Sequence, residues 1–174
     1  NGPAVVALLA NHGYLRSEHD HIPDDVDALK KRLGKHLDDA EVLILSGGVS
    51  MGKADYVPAA LADLGVKVIF HKISQRPGKP MWFGKGPNGQ VVFALPGNPV
   101  SALVCCRQYV IPALAKASGE MLRPPEFAAL SMNISFKPDL TCFQPVKLLS
   151  NAAGQTLAVP VKTNTSGDFA SLSI

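Results

Sequence analysis

The chain has 174 residues with a formal net charge of +3, and it is 47% hydrophobic and 18% charged. That balance supplies a sizeable core for one ordinary domain, or for one domain with a small second one. The basic residues are scattered, which argues against a nucleic-acid partner but leaves room for basic loops that hold a small anion. No apolar run approaches the roughly 20 residues that cross a bilayer and no charged-then-apolar leader opens the sequence, so the expectation is a cytoplasmic protein with no membrane partner.

In chain order, Gly2-Pro3 followed by Val5, Leu8 and Leu9 predicts a helix with proline in its first turn and Gly13 just past its end. Tyr14 to His21 reads as a short strand. His19 and His21 would then share a face, but no other His or Cys stands at ligand spacing to complete a metal site. "PDDVDALKKRLGKHLDDA" puts Val26, Leu29, Leu33 and Leu37 at helical spacing, with acids in the first turn. "EVLIL" is the short apolar run of a strand buried on both faces. "DYVPAALADLG" reads as a helix closed by Gly65, and "VKVIFHKI" as another strand. "MWFGKGPNGQVVFAL" reads as two strands joined by a turn at Pro87-Asn88-Gly89. A helix follows, with Asn98 as its cap, Pro99 at its first position, Pro112 as a source of kinking and Gly119 as its end. The cysteines Cys105, Cys106 and Cys142 show no metal spacing and read as reduced, mostly buried thiols.

Strands thus alternate with helices through Ser118, which predicts an α/β fold with a mostly parallel sheet and helices on both faces. After "RPPE" the texture changes to strand-like runs, "FAALSMNISFKP", "CFQPVKLLS" and "TLAVPVK". The expected division is an α/β domain over residues 1–120 and a partial all-β domain over 121–174. The start at Asn1 without methionine and the end at "SLSI" read as a piece of a longer polypeptide.

Three loops carry the chemistry. In open α/β sheets, ligands bind beyond the carboxyl ends of the strands. Ser46-Gly47-Gly48-Val49-Ser50-Met51-Gly52 lets backbone N–H groups converge on an anion, with Ser50 as an added donor. Pro96-Gly97-Asn98-Pro99-Val100-Ser101 leads directly into a helix N-terminus, the positive end of its dipole. Arg76-Pro77-Gly78-Lys79-Pro80 joins two cations to a stiff proline frame. Asp55 would repel a bare anion beside these loops, but it suits Mg²⁺ held jointly with substrate phosphates, with Asp24 or Asp25 as a second carboxylate. It equally suits orienting a water or capping the next helix, and Asp24 and Asp25 also suit simple first-turn acids. Trp82 fits either stacking on a flat heterocycle or a place in the core.

Taken in order, "SGGVSMGKADY", "RPGKP" and "ALPGNPVSALV" resemble the molybdopterin-binding domain of the MoeA/gephyrin family, the molybdopterin molybdenumtransferases of molybdenum-cofactor biosynthesis. The likeness covers nearly all of residues 1 to 118, and the tail is similar to the start of that family's C-terminal β-domain. The resemblance implies a cytoplasmic homodimer. Its substrates would be adenylylated molybdopterin, supplied by a molybdopterin adenylyltransferase partner, and molybdate, with AMP as a product. Asp55 would be the metal-linked acid, and Lys79, with Arg76, would attract molybdate or phosphate; Asp24 as a second metal ligand rests on the carboxylate reading, not on the resemblance. Gly47, Gly48, Val49, Ser50 and Gly52 would contact the pterin or its phosphates, with Pro77, Gly78, Pro80, Pro96, Gly97, Asn98, Pro99 and Ser101 lining the rest. Two stretches depart from the pattern. Arg76 stands where members commonly carry lysine, and "LTCFQPVKL" has only Lys147 as a base where many carry arginine. That leaves tungstate as another oxyanion, a non-catalytic pterin-binding or scaffold paralogue as another function, and an adenylyltransferase as a third.

Overall fold

The computed structural model describes residues 1–48, 56–121 and 124–163. The first part is built on a four-stranded sheet of β1 (Val42–Ser46), β2 (Lys67–His71), β4 (Trp82–Lys85) and β5 (Val91–Leu95), in the order β1-β5-β4-β2. A two-residue strand, β3 (Gln75–Arg76), lies between β2 and β4 in the chain. The helices are α1 (Gly2–Asn11), α2 (Val26–Asp39), α3 (Val57–Asp63), α4 (Pro99–Cys105) and α5 (Ile111–Ala117).

Side-chain alternation along β5 sets the layers. Phe93 and Leu95 join Val5 and Leu9 of α1, Ala102 and Cys105 of α4 and Ile111 of α5 in one core. Val92 and Ala94 join Leu33 and Leu37 of α2 and Ala60 and Leu61 of α3 in the other. Helices therefore cover both faces, as the α/β reading expects, and β5 is the strand buried on both sides.

The sheet is mixed rather than mostly parallel. β1 and β5 pair in parallel, whereas β5 with β4 and β4 with β2 are antiparallel. Connection length decides this, because a parallel neighbour needs a crossover of about a dozen residues or more. Only residues 86–90 join β4 to β5, and residues 72–81, which hold no helix, join β2 to β4. Gln90 secures the hairpin turn: its Oε1 accepts from the Asn88 N–H at 3.0 Å, and its Nε2 donates to the Leu37 carbonyl of α2 at 2.7 Å.

Tyr14 to His21 forms no strand, because it has no ladder partner among the described residues. Side chains hold it instead. The Asp20 carboxylate accepts from Arg32 Nε at 3.1 Å and from His36 Nε2 at 2.7 Å, both on α2. His19 fills the space that a side chain at Gly2 would need. The hydrogen bond from His36 holds the Asp20 carboxyl below the usual carboxylate range, and Arg32 acts in the same direction. A carboxylate whose folded pKa is depressed stabilises above its unfolded value, about 3.9, and loses that contribution as pH falls through the folded one. The expected result is a gap in Tm between the wild type and Asp20→Asn that closes below about pH 4. Calorimetry across that range checks it.

Pro112 does not break its helix. α4 runs through a π-helical turn, Cys106–Val110, into α5. The turn, in which the Ile111 N–H reaches the Cys106 carbonyl, lies just ahead of a residue that lacks an N–H and crowds the preceding turn. Beyond this helix, β6 (Ala129–Leu130), β8 (Val146–Ser150) and β9 (Thr156–Pro160) form a small sheet in the order β6-β9-β8. β7 (Thr141–Cys142) leaves that group and pairs in parallel with β3. Among the described residues, no helix is long and apolar enough to cross a membrane.

Candidate functional site

Strand direction places the three loops at one edge of the sheet. β1, β5 and β2 run the same way and β4 runs against them, so Ser46, Leu95, His71 and Trp82 all stand at the same end. Gly47 and Gly48 follow β1, Pro96 to Ser101 follow β5, and Arg76 to Pro80 lie between β2 and β4. The adjacent carboxyl ends of a parallel pair are where such folds bind ligands.

The first two loops touch. Ser46 is opposite Leu95 in the ladder, and the Gly47 N–H extends it by donating to the Leu95 carbonyl at 3.3 Å. A Cβ on Gly97 would stand 3.6 Å from the Gly47 Cα, so the backbones are in contact. Asn1 bridges them: its Nδ2 donates to Ser46 Oγ at 2.8 Å and to the Gly97 carbonyl at 2.8 Å. Asn1 precedes α1 but makes no side-chain cap bond there, which leaves its amide for the bridge. Sequence reasoning gave Asn1 no role in the site. A capping residue that does not cap is the signal, and it is visible only in three dimensions.

The helix entry after β5 follows the sequence reading. Asn98 Oδ1 accepts from the Ser101 N–H at 3.0 Å and from the Ser101 hydroxyl at 3.1 Å. Ser101 and Pro96 are buried, while Gly97, Asn98 and Pro99 are exposed. The Asn98 and Ser101 oxygens are thus engaged in the cap, and the exposed wall of this loop is residues 97–99.

The third loop is pinned from inside. The Ile73 N–H donates to the Lys79 carbonyl at 3.0 Å, and the Met81 N–H to the Gly78 carbonyl at 3.1 Å. Gly78 is buried with φ of 104°, a backbone region open to glycine alone. Pro77 and Pro80 are half-buried, whereas Arg76 and Lys79 are exposed. Among the described residues neither cation pairs with a carboxylate. Sequence reasoning also missed Gln75, a buried amide directly under this loop.

Val49, Ser50, Gly52 and Asp55 lie outside the described residues. Asp24 is exposed, and its neighbour Asp25 caps α2 by accepting from the Ala28 N–H at 2.7 Å. Among the described residues, no group of His, Cys, Asp or Glu could hold a metal ion. Trp82 is 3% exposed and belongs to the α2–α3 core. Cys105 and Cys106 are buried free thiols. Burial, with Cys106 alongside, pushes Cys105 up to about 12, and burial pushes Cys106 up to about 11, so both stay protonated at neutral pH. A cavity of about 270 Å³, lined by Asp38, Asp39, Glu41 and Gln90, lies at the opposite edge of the sheet from the three loops.

Comparison with known proteins bears on this edge. Residues 1–116 match a family model described as "Probable molybdopterin binding domain". A molybdopterin molybdenumtransferase of Synechocystis sp. is 36% identical over 165 residues, which is 94% of this chain and 40% of that protein. One from Haemophilus influenzae is 40% identical over 137 residues, 77% of this chain and 33% of that protein. The chain therefore spans well under half the length of these relatives. The solved structure of a molybdopterin biosynthesis MoeA protein from Pyrococcus horikoshii superposes with a TM-score of 0.70 at 28% identity, covering 99% of this chain and 41% of that one.

Proposed function

The chain belongs to the molybdopterin-binding domain family, and from that premise we propose that it is part of a molybdopterin molybdenumtransferase. The carrying observation is the contact of the Gly47 and Gly97 backbones at the carboxyl ends of β1 and β5, bridged by Asn1. Loops without side chains at this point let a flat, phosphorylated pterin approach the main chain closely. Arg76 and Lys79 add two exposed cations at the same edge, where a phosphate or an oxyanion such as molybdate would be drawn in. The relatives are molybdopterin molybdenumtransferases, which favours the transferase over the scaffold and adenylyltransferase readings.

In this reading, water cleaves the anhydride between the pterin phosphate and AMP, and molybdate is taken up by the pterin dithiolene. Gly47, Gly48 and Gly97 seat the pterin nucleotide, and Lys79 with Arg76 holds the oxyanion. The reading includes Mg²⁺, with Asp55 as its ligand and Asp24 as a second. The described residues alone do not assemble a ligand set, and Asp55 lies outside them. The reading also takes residues 1–120 and 121–174 as separate domains of a cytoplasmic homodimer, supplied by a molybdopterin adenylyltransferase.

The test is AMP release from adenylylated molybdopterin by the full-length protein, with and without molybdate. Release stimulated by molybdate is expected, with a loss of at least about a hundredfold in Asp55→Asn, the scale of removing a positioned acid or base. Tight pterin binding with no AMP release from the wild type would sink the enzyme reading.

A further inference from the structure

Gln75 is 2% exposed and sits in β3, at the root of the Arg76–Pro80 loop. Every polar atom of its side chain is used. Nε2 donates to the Pro77 carbonyl at 2.8 Å and contacts Cys105 Sγ at 3.6 Å, and Oε1 accepts from the Tyr109 hydroxyl. Cys105 Sγ lies 3.7 Å from the Gly78 carbonyl, which it faces as a donor. Two successive carbonyls of the loop are thus held inward, against α4 and the π-helical turn. Gly78 leaves no gap: a Cβ there would stand 2.5 Å from both Gln75 Nε2 and Cys105 Sγ. From the other side, the Thr141 N–H donates to the Ser74 carbonyl and the Phe143 N–H to the Arg76 carbonyl, each at 2.9 Å. The loop is clamped between the helix and β7, with only Arg76 and Lys79 exposed.

We infer that Gln75 is a positioning residue for the anion subsite. Its amide fixes the loop backbone that carries Lys79, so the ammonium group is delivered to one place at the sheet edge. The π-helical turn takes part, because Tyr109 lies within it and orients the Gln75 amide through its hydroxyl. This inference rests on the proposed function, in which Lys79 holds the oxyanion.

The test measures molybdate affinity by calorimetric titration of the full-length protein, alongside KM and kcat for AMP release. The variants are Gln75→Met, Lys79→Gln and the double substitution. Gln75→Met keeps the length and adds no charge, but removes the donor to Pro77 and the acceptor for Tyr109. It is expected to weaken molybdate about tenfold, the effect of a lost buried hydrogen bond, and to raise KM for molybdate more than it lowers kcat. In the Lys79→Gln background it should cost nothing more, since the group it positions is gone. Tyr109→Phe, which loses only a hydroxyl, should reproduce part of the effect if Gln75→Met proves hard to fold. Equal losses from Gln75→Met in both backgrounds would overturn the inference and leave Gln75 a packing residue. A Lys79→Gln protein with unchanged molybdate affinity would instead count against the function assigned to Lys79.

Discussion

Gly78→Ala is expected to destabilise the protein by about 2–6 kcal/mol and, in the proposed function, to weaken binding of the oxyanion at Lys79. Two costs combine. The backbone at φ of 104° is strained for any residue with a Cβ, which costs about 1–3 kcal/mol. The methyl group would then meet Cys105 Sγ and Gln75 Nε2 at 2.5 Å. Both are inside the core, at 0% and 2% exposure, so neither can swing aside into solvent. Forcing them apart adds about 1–3 kcal/mol. Relief comes most readily by moving the loop outward, which displaces Lys79. Gly89→Ala is the matched control: its φ is 94°, but nothing lies within 4 Å of its Cβ. Chemical denaturation of both variants separates clash from strain. Equal destabilisation by the two would show that the packing of Gly78 on the helix contributes nothing.

Much of the fold was legible because local chemistry dictated it. Pro87-Asn88-Gly89 specified a hairpin, and β4 and β5 form it. Asn98 before Pro99 specified a cap, and its oxygen accepts from Ser101. The loops of the candidate site were legible as loops for a related reason, since glycine and proline collect where strands end. The mixed sheet was equally written in the sequence. A hairpin between two adjacent strands forces an antiparallel pair, and a short link from β2 to β4 forces another. Counting helix–strand alternation alone hid this constraint.

What sequence reasoning missed is non-local. Tyr14 to His21 has the composition of a strand, but a strand exists only with a partner, and this segment is tied to α2 by Asp20 instead. Gln75 looks like an ordinary polar residue next to an arginine. Its burial is set by Cys105 and Tyr109, 30 and 34 positions away. Asn1 acts on residues 45 and 96 positions away. Polar side chains that tie loops together at a site carry no periodic signal, because their partners are set by topology rather than by spacing.

The other large effect belongs to Trp82, the sole tryptophan of the chain. Trp82→Ala is expected to cost about 3–5 kcal/mol, a large share of the roughly 5–15 kcal/mol that holds a typical domain together. The ring packs with Leu33, Leu37, Leu61 and Val66 beneath α2 and α3. Its neighbours are shaped for it: Ala94 is directly opposite on β5, and a side chain at Gly84 would collide with the indole. The cost is that of the lost burial plus the cavity left between sheet and helices, and Trp82→Phe should lose much less. Trp82 also opens β4 at the edge that carries the three loops, so its position alone allows either a core role or a stacking role. Fluorescence separates the two. A ring stacked on a pterin would be quenched in a saturable way as ligand is added. A core ring gives a blue-shifted emission that changes only when the protein unfolds. With 3% of its surface exposed, Trp82 is expected to show the second behaviour, and saturable quenching by pterin would overturn its assignment to the core.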